Sequence, residues 1–166
     1  EETMRSALMA SALILAATAC APVGPPSVEA IHQGQTIDVV RDEDGNTALV
    51  DRTGKGPVLC VWSLYVAAQD VGRQCFPGQD KRLQAELATS IRTTDAFILQ
   101  NSSSHPTPAD RAVRKAVILR EVKAQACAGD TQELYRAFQK GGVAALRAST
   151  DEMLSIPREP VMNPCV

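Results

Sequence analysis

The chain has 166 residues, enough for one ordinary domain and too few for two comfortable ones. With 45% hydrophobic and 22% charged residues it has a globular composition, and its net charge of −2 supplies no basic stripe, so nucleic acid is discounted as a partner. Aromatic residues make up 4%, so the core must come mostly from Leu, Ile, Val and Ala; this suits closely packed helices and suits a sugar-binding platform poorly.

Met4-Arg5 followed by an apolar or small-residue stretch to Ala19 reads as a signal peptide over residues 1–19, a positive start and then a short hydrophobic region. Glu1, Glu2 and Thr3 precede that start and are read as upstream of it. The 13 residues from Ala7 to Ala19 fall short of the roughly 20 that a bilayer-spanning helix needs. Leu15-Ala16-Ala17-Thr18-Ala19-Cys20 resembles the lipobox of bacterial lipoproteins, with Ala17 where Leu is usual. The resemblance implies lipid attachment at Cys20, which would become the mature amino terminus and the anchor to a membrane. Ala21 in place of Asp after the cysteine implies the outer membrane, on the periplasmic side of the cell envelope. Ala17-Thr18-Ala19 would also serve as an ordinary cleavage site, which leaves a soluble periplasmic or secreted chain as the alternative. Loss of Glu1, Glu2 and Arg5 with the leader takes the net charge from −2 to −1. Pro22, Pro25 and Pro26 with Gly24 then form a tether, so that 20–35 is lipidation site and linker and 36–166 a single disulfide-stabilised helical domain. His32 falls at the end of that linker.

Thr36 to Arg41 and Thr47 to Asp51 are short β-type runs, and the Asp44-Gly45 between them predicts a hairpin. Asp42, Asp44, Gly45, Asn46 and Asp51 align partly with a calcium loop, but Val40 occupies the first ligand position and the terminal Glu is missing. Gly54-Lys55-Gly56 lacks the spacing of a phosphate-binding loop and reads as a turn. Val61, Leu64, Tyr65, Ala68 and Val71 follow helical spacing and predict a helix near 61–71 that stops at Gly72; a strand over 58–66 is the competitor. Asp80 is placed to cap a long helix reaching about Gln100, with Leu83, Leu87, Ile91 and Ile98 along one side. Ser102 to Pro106 breaks it. Thr107-Pro108-Ala109-Asp110 combines an N-cap, a proline at the first helical position and an acid three residues after the cap, opening a helix to about Cys127 that buries Val113 and Val117. Two long helices joined by so short a loop must lie antiparallel. Asp130 to Glu133 reads as another capping box, before a short helix with Leu134, Tyr135 and Phe138 that ends at Gly141-Gly142. Short helices near 143–147 and 150–154 precede an irregular tail from Pro157. The fold class is therefore mainly α, a short N-terminal β-hairpin followed by a small disulfide-bonded helical bundle with a long antiparallel helix pair.

Cys60, Cys75, Cys127 and Cys165 remain once Cys20 is set aside, an even number in a chain bound for an oxidising compartment. No Cys-x-x-Cys pair is present, so two disulfides are preferred to zinc. A helix over 61–71 spans about 16 Å, and the residues from Gly72 to Cys75 retrace at most about 14 Å, which disfavours Cys60–Cys75. An antiparallel hairpin of the two long helices brings Cys75 to Cys127 and leaves Cys60 for Cys165. If 58–66 is a strand, Cys60 is free to pair with Cys75.

For chemistry, His105 could pair with a neighbouring serine as base and nucleophile, with Asp110 as the orienting acid, but residues so close in sequence rarely reach triad geometry. Glu86 and Glu121 could form a glycosidase pair, although solvated helix surface is the simpler reading. Asn101-Ser102-Ser103 matches the glycosylation acceptor pattern, which has no role expected in a bacterium. No cofactor or metal is expected. The run from Cys60 through Tyr65-Val66-Ala67-Ala68 and Cys75-Phe76-Pro77-Gly78 to Cys127 is similar to the periplasmic Tai-type immunity proteins of type VI secretion, over fewer than half of the residues. That resemblance implies a small disulfide-bonded helical protein that binds and silences a toxic amidase. The expectation is a non-catalytic protein-binding or structural module whose partner is another envelope protein. Its alternatives are an inhibitor of a periplasmic lytic enzyme and an envelope hydrolase using His105.

Overall fold

The computed structural model describes residues 29–30, 37–41, 45–123 and 127–165. The leader, Cys20, the proline tether, His32 and the acidic run Asp42-Glu43-Asp44 lie outside them, so the anchor and the calcium alternative are not addressed by the fold.

Strands β2 (Ile37–Arg41) and β3 (Thr47–Asp51) pair antiparallel, with Ile37 opposite Asp51 and Arg41 opposite Thr47. Gly45, between them, has the positive φ of 85° that the turn demands of it. A third strand, β1 (Glu29–Ala30), pairs with the other edge of β2 and comes from the segment assigned to the tether. Two residues are too few to show an alternating pattern, and the edge of β2 carries backbone groups that an adjacent extended segment can satisfy.

Four helices follow: α1 (Val58–Cys75), α2 (Lys81–Asn101), α3 (Pro108–Lys123) and α4 (Gly129–Met153). The β-branched run at the start of α1 is helical, and the helix is longer at both ends than its apolar spacing indicates. Its 15-residue separation of Cys60 from Cys75 now amounts to about 22 Å along one rod. Each of α2, α3 and α4 packs on α1, and α2 also packs on α4. A helix covered from three sides buries more than a stripe: Val58, Trp62, Val66 and Gln69 are buried beside Tyr65, Ala68 and Val71, whereas Val61 and Leu64 are half-buried. On α2 the expected side is the core side, with Leu83, Leu87, Ile91 and Ile98 all buried.

The C-terminal end of α1 meets the start of α2, so these two run antiparallel. Arg111 of α3 lies over Trp62 near the start of α1, and Cys127 just beyond α3 is joined to Cys75 at the end of α1. Thus α3 runs with α1 and opposite to α2. Val113, expected in the core, is 67% exposed. The residues of α3 packed against the core are Ile118, Leu119 and Val122, and a helical repeat of 3.6 residues puts Val113 on the far side from that set. Cys127 lies in a turn beyond the helix.

Local capping succeeds at one site and is overridden at two. Thr107 and Asp110 form the full box: Thr107 N–H donates to Asp110 Oδ2 at 2.8 Å, and Asp110 N–H donates to Thr107 Oγ1 at 3.2 Å. Asp80 does precede α2, but in a left-handed conformation (φ 50°) with no side-chain cap; its carboxylate accepts from Tyr135 and Gln139 of α4 instead. Asp130 falls inside the first turn of α4 rather than at its cap. Gly142, with φ 77° and ψ 173°, leaves helical geometry at the expected stop and divides α4 into two helices that meet at a kink, the second running unbroken to Met153. The kink lets the second half of α4 follow α2, matching Arg147 to Glu86 and Thr150 to Ser90.

Gly72 of α1 faces side chains of both α2 and α4. A Cβ there would overlap Gln84 Nε2 and sit 2.5 Å from Tyr135 Cε2, in a helical position where the backbone itself would accept alanine. Gly72→Ala is therefore expected to cost about 1–3 kcal/mol from overpacking. Urea unfolding should show a lower midpoint with an unchanged slope.

The tail is irregular but bound throughout. Val161 C=O accepts from Leu59 N–H at 3.0 Å in the first turn of α1, and Asn163 C=O accepts from Asp51 N–H at 2.9 Å. The former satisfies one of the helix's orphan donors. Cys60 is bonded to Cys165 and Cys75 to Cys127, with Cα separations of 5.5 and 5.4 Å.

Candidate functional site

Three features of the sequence lead to the end of α2. Asn101 closes the helix, the Ser102-Ser103-Ser104-His105-Pro106 loop follows, and the tail returns beneath it. His105 takes φ 48°, a left-handed conformation that histidine tolerates better than most residues, and its N–H donates to Ser102 C=O at 3.1 Å. Glu159 is buried under the loop: its carboxylate accepts from Ser103 N–H at 2.8 Å and Ser102 Oγ at 3.2 Å. The result is a hollow of 190 Å³ lined by Ser102, Ser103, His105 and Glu159, with Arg158 at its floor.

The arrangement places a serine, a histidine and a carboxylate together, yet it does not connect them as a relay. Ser102 Oγ is shared between Ser104 Oγ (3.0 Å) and Glu159, and among the described residues no hydrogen bond joins the imidazole of His105 to a serine or to Asp110. Asp110 is engaged in capping α3, and the Thr107 hydroxyl that bonds it holds its carboxyl below the ordinary range. The group expected to orient His105 is thus occupied by helix formation.

The glycosidase pair does not assemble either. Glu86 is buried between α2 and α4, where Arg147 grips it with Nη2 at 2.6 Å and Nε at 3.1 Å. Hydrogen bonding from that guanidinium lowers the carboxyl pKa against the opposing effect of burial. A general acid needs the reverse shift. Glu121 is exposed on α3, a helix that packs on α1.

The polar cluster missed in the sequence lies beside this hollow. Arg158 and Asp51 form an ion pair at 2.7 Å with side chains 0% and 1% exposed. Arg158 also donates to the carbonyls of Met153 (2.6 Å), Ile156 (3.1 Å) and Gly56 (2.6 Å), and Asp51 accepts from Thr53 N–H at 2.7 Å. Every arm of the pair is used, as a buried pair requires. The separation of 107 residues leaves no local signal for it. This cluster joins the sheet, the entrance to α1, the end of α4 and the tail.

Among the described residues no group of three or more His, Cys, Asp or Glu side chains is placed to hold a metal ion, and no helix is long and apolar enough to cross a membrane. Comparison with protein-family models, with curated proteins and with solved structures returned no match.

Proposed function

We propose that this chain is an exported module of a bacterial cell envelope, anchored by lipid at Cys20, that acts by binding another envelope protein. The observation that carries this reading is the use of cysteine. The four cysteines of the folded domain pair with one another, so no intrachain partner remains for Cys20, the one that ends the lipobox-like leader. Disulfides persist in compartments outside the reducing cytosol, in keeping with export. The non-catalytic part of the reading draws on Asp110 and Glu86, whose carboxylates are held in structural bonds, and on His105, whose imidazole is joined to neither a serine nor Asp110 among the described residues. An inhibitor of a periplasmic lytic enzyme is the more specific form, resting on the similarity to immunity proteins.

Metabolic labelling with a fatty acid tests the anchor. The parent chain should incorporate label and Cys20→Ser should lose it; equal labelling of the two would reduce this protein to a simply secreted one. Affinity capture from a native envelope fraction tests the inhibitor form, which requires recovery of a lytic enzyme and is overturned if none is recovered.

An envelope hydrolase is the second reading, favoured by the shared hollow of Ser102, His105 and Glu159. A fluorophosphonate probe that labels the parent and spares Ser102→Ala would establish it in place of the first.

A further inference from the structure

Helix α3 packs chiefly on α1, and none of its side chains is fully buried. It carries five cations and two anions, a balance of +3 in a chain of net charge −2. Two of these charges are engaged: Arg111 lies against Trp62 and pairs with Asp95 of α2 at 3.1 Å, and Asp110 caps the helix. Among the described residues Arg114, Lys115 and Arg120 have no acidic partner.

Although α2 and α3 are consecutive and antiparallel, they leave a groove of 230 Å³ between them, lined by Asp95 and Leu99 on one side and Pro108, Arg111, Ala112 and Lys115 on the other. Leu99, Pro108, Ala112 and the methylene stems of the two cations make it mostly apolar. Its one acid, Asp95, is already paired with Arg111, so Lys115 carries the uncompensated charge of the groove. Beside it the solvent face of α3 presents Ala109, Ala112, Val113 and Ala116 at i, i+3, i+4 and i+7, all exposed, with Val113 at 67%. Lys115 borders this face on the α2 side, Arg114 borders it on the side of α1 and the tail, and Arg120 continues it by one turn.

We infer that this groove and the outer face of α3 dock an acidic amphipathic helix of the envelope protein that the chain binds. The inference rests on that proposed binding and names its surface and the chemistry of the partner. Both walls of the groove are helices, so no strand edge is offered to an extended peptide, and side chains repeating every three or four residues fill such a groove. One large apolar side chain enters between Leu99 and Ala112, its neighbours pack over the alanines, and flanking Asp or Glu residues meet Lys115, Arg114 and Arg120. A bilayer is the poorer occupant, because helices that lie in a membrane surface present Trp, Phe or Leu, whereas this face presents Ala and Val beside a concavity. A second copy docked through the same face sets basic residues against basic residues.

The test uses the disulfide-bonded, ¹⁵N-labelled chain with Cys20→Ser, which removes the lipid, and a helical peptide with leucines on one face and glutamates on the other. Titration should shift the amides of Leu99, Ala112, Val113 and Lys115 saturably, while the same peptide with lysines for glutamates leaves them in place. Val113→Asp, an exposed change compatible with folding, should weaken binding more than about tenfold. Lys115→Gln and Arg120→Gln should weaken it about threefold each. Shifts confined to other faces, an equal response to the lysine peptide, or unaltered affinity in Val113→Asp would overturn the site. So would stronger shifts of the same amides with phosphatidylglycerol vesicles, the mark of a membrane surface, or on concentrating the chain alone, the mark of an interface between copies. Photo-cross-linking in native cells, with a photoreactive residue replacing Val113, Arg136 or Ile156 in turn, separates this inference from the reading it rests on. Cross-links from position 113 to an acidic helix of one protein support it, and cross-links to a segment without acids overturn it. A partner captured from 136 or 156 but not from 113 overturns the docking face and leaves the binding reading standing; capture from none of the three overturns both.

Discussion

Arg158→Met should lower the unfolding free energy by about 3–5 kcal/mol, the largest effect expected of any single substitution in this chain. The change leaves the Asp51 carboxylate buried with Thr53 as its remaining neighbour, and it strips a donor from the carbonyls of Met153, Ile156 and Gly56. Stripping one partner is the costly case, because the surviving charge keeps its desolvation penalty and loses its compensation. Removing both charges together, as Arg158→Met with Asp51→Leu, should recover part of the loss even though the carbonyls stay unmet. Denaturant unfolding of the parent, the two single variants and the double variant closes a mutant cycle. A single-variant loss below about 1 kcal/mol would show that water reaches the pair and that its burial is not the source of its effect.

Removing either disulfide should be nearly as damaging. Cys60–Cys165 closes a separation of 105 residues and Cys75–Cys127 one of 52. Chain entropy alone assigns about 4.8 and 4.1 kcal/mol to them, with typical measured losses of about 2–5 kcal/mol. The two paired Cys→Ala variants should therefore unfold at much lower denaturant concentrations. They should also differ in kind: loss of Cys60–Cys165 frees the tail that carries Arg158, so its damage and that of Arg158→Met should combine less than additively. Strict additivity in denaturant unfolding would separate the staple from the ion pair.

The legibility of each element follows from the range of the force that makes it. The capping box at Thr107 and Asp110 was readable because its two bonds span three residues and no tertiary contact competes for them. Asp80 has the same chemistry, but a tyrosine and a glutamine from α4 take its carboxylate, so the local rule names the helix start and misassigns the side chain. The apolar side of α2 was readable from its 3.6-residue period. On α3 Val113 was misplaced because a helix with apolar residues on several sides does not say which side its neighbour covers, and packing on α1 selected Ile118, Leu119 and Val122.

The candidate sites divide along the same line. Histidine, serines and an acid close in sequence announced a possible relay at His105, yet bonds within the loop, to Glu159 and to Thr107 took up the serines and Asp110 and none of them engages the imidazole. Neither the Arg158–Asp51 pair nor the Trp62–Arg111 stack could be read in advance, since an arginine in an irregular tail and one on a helix surface both look solvated until their partners arrive from distant segments.

By itself the sequence determined the mainly helical class, the hairpin with its Gly45 turn, the long helix ahead of the serine-rich loop and the capped start of α3, because capping, turn chemistry and apolar periodicity act over a few residues. Helix reach along the chain was also enough to set Cys75 against Cys127. The central place of α1, the way the second half of α4 lies along α2, the strand drawn from the linker and the buried arginine of the tail were decided only in the tertiary structure. Each depends on which surfaces meet, and on the desolvation and pairing of groups far apart in the chain.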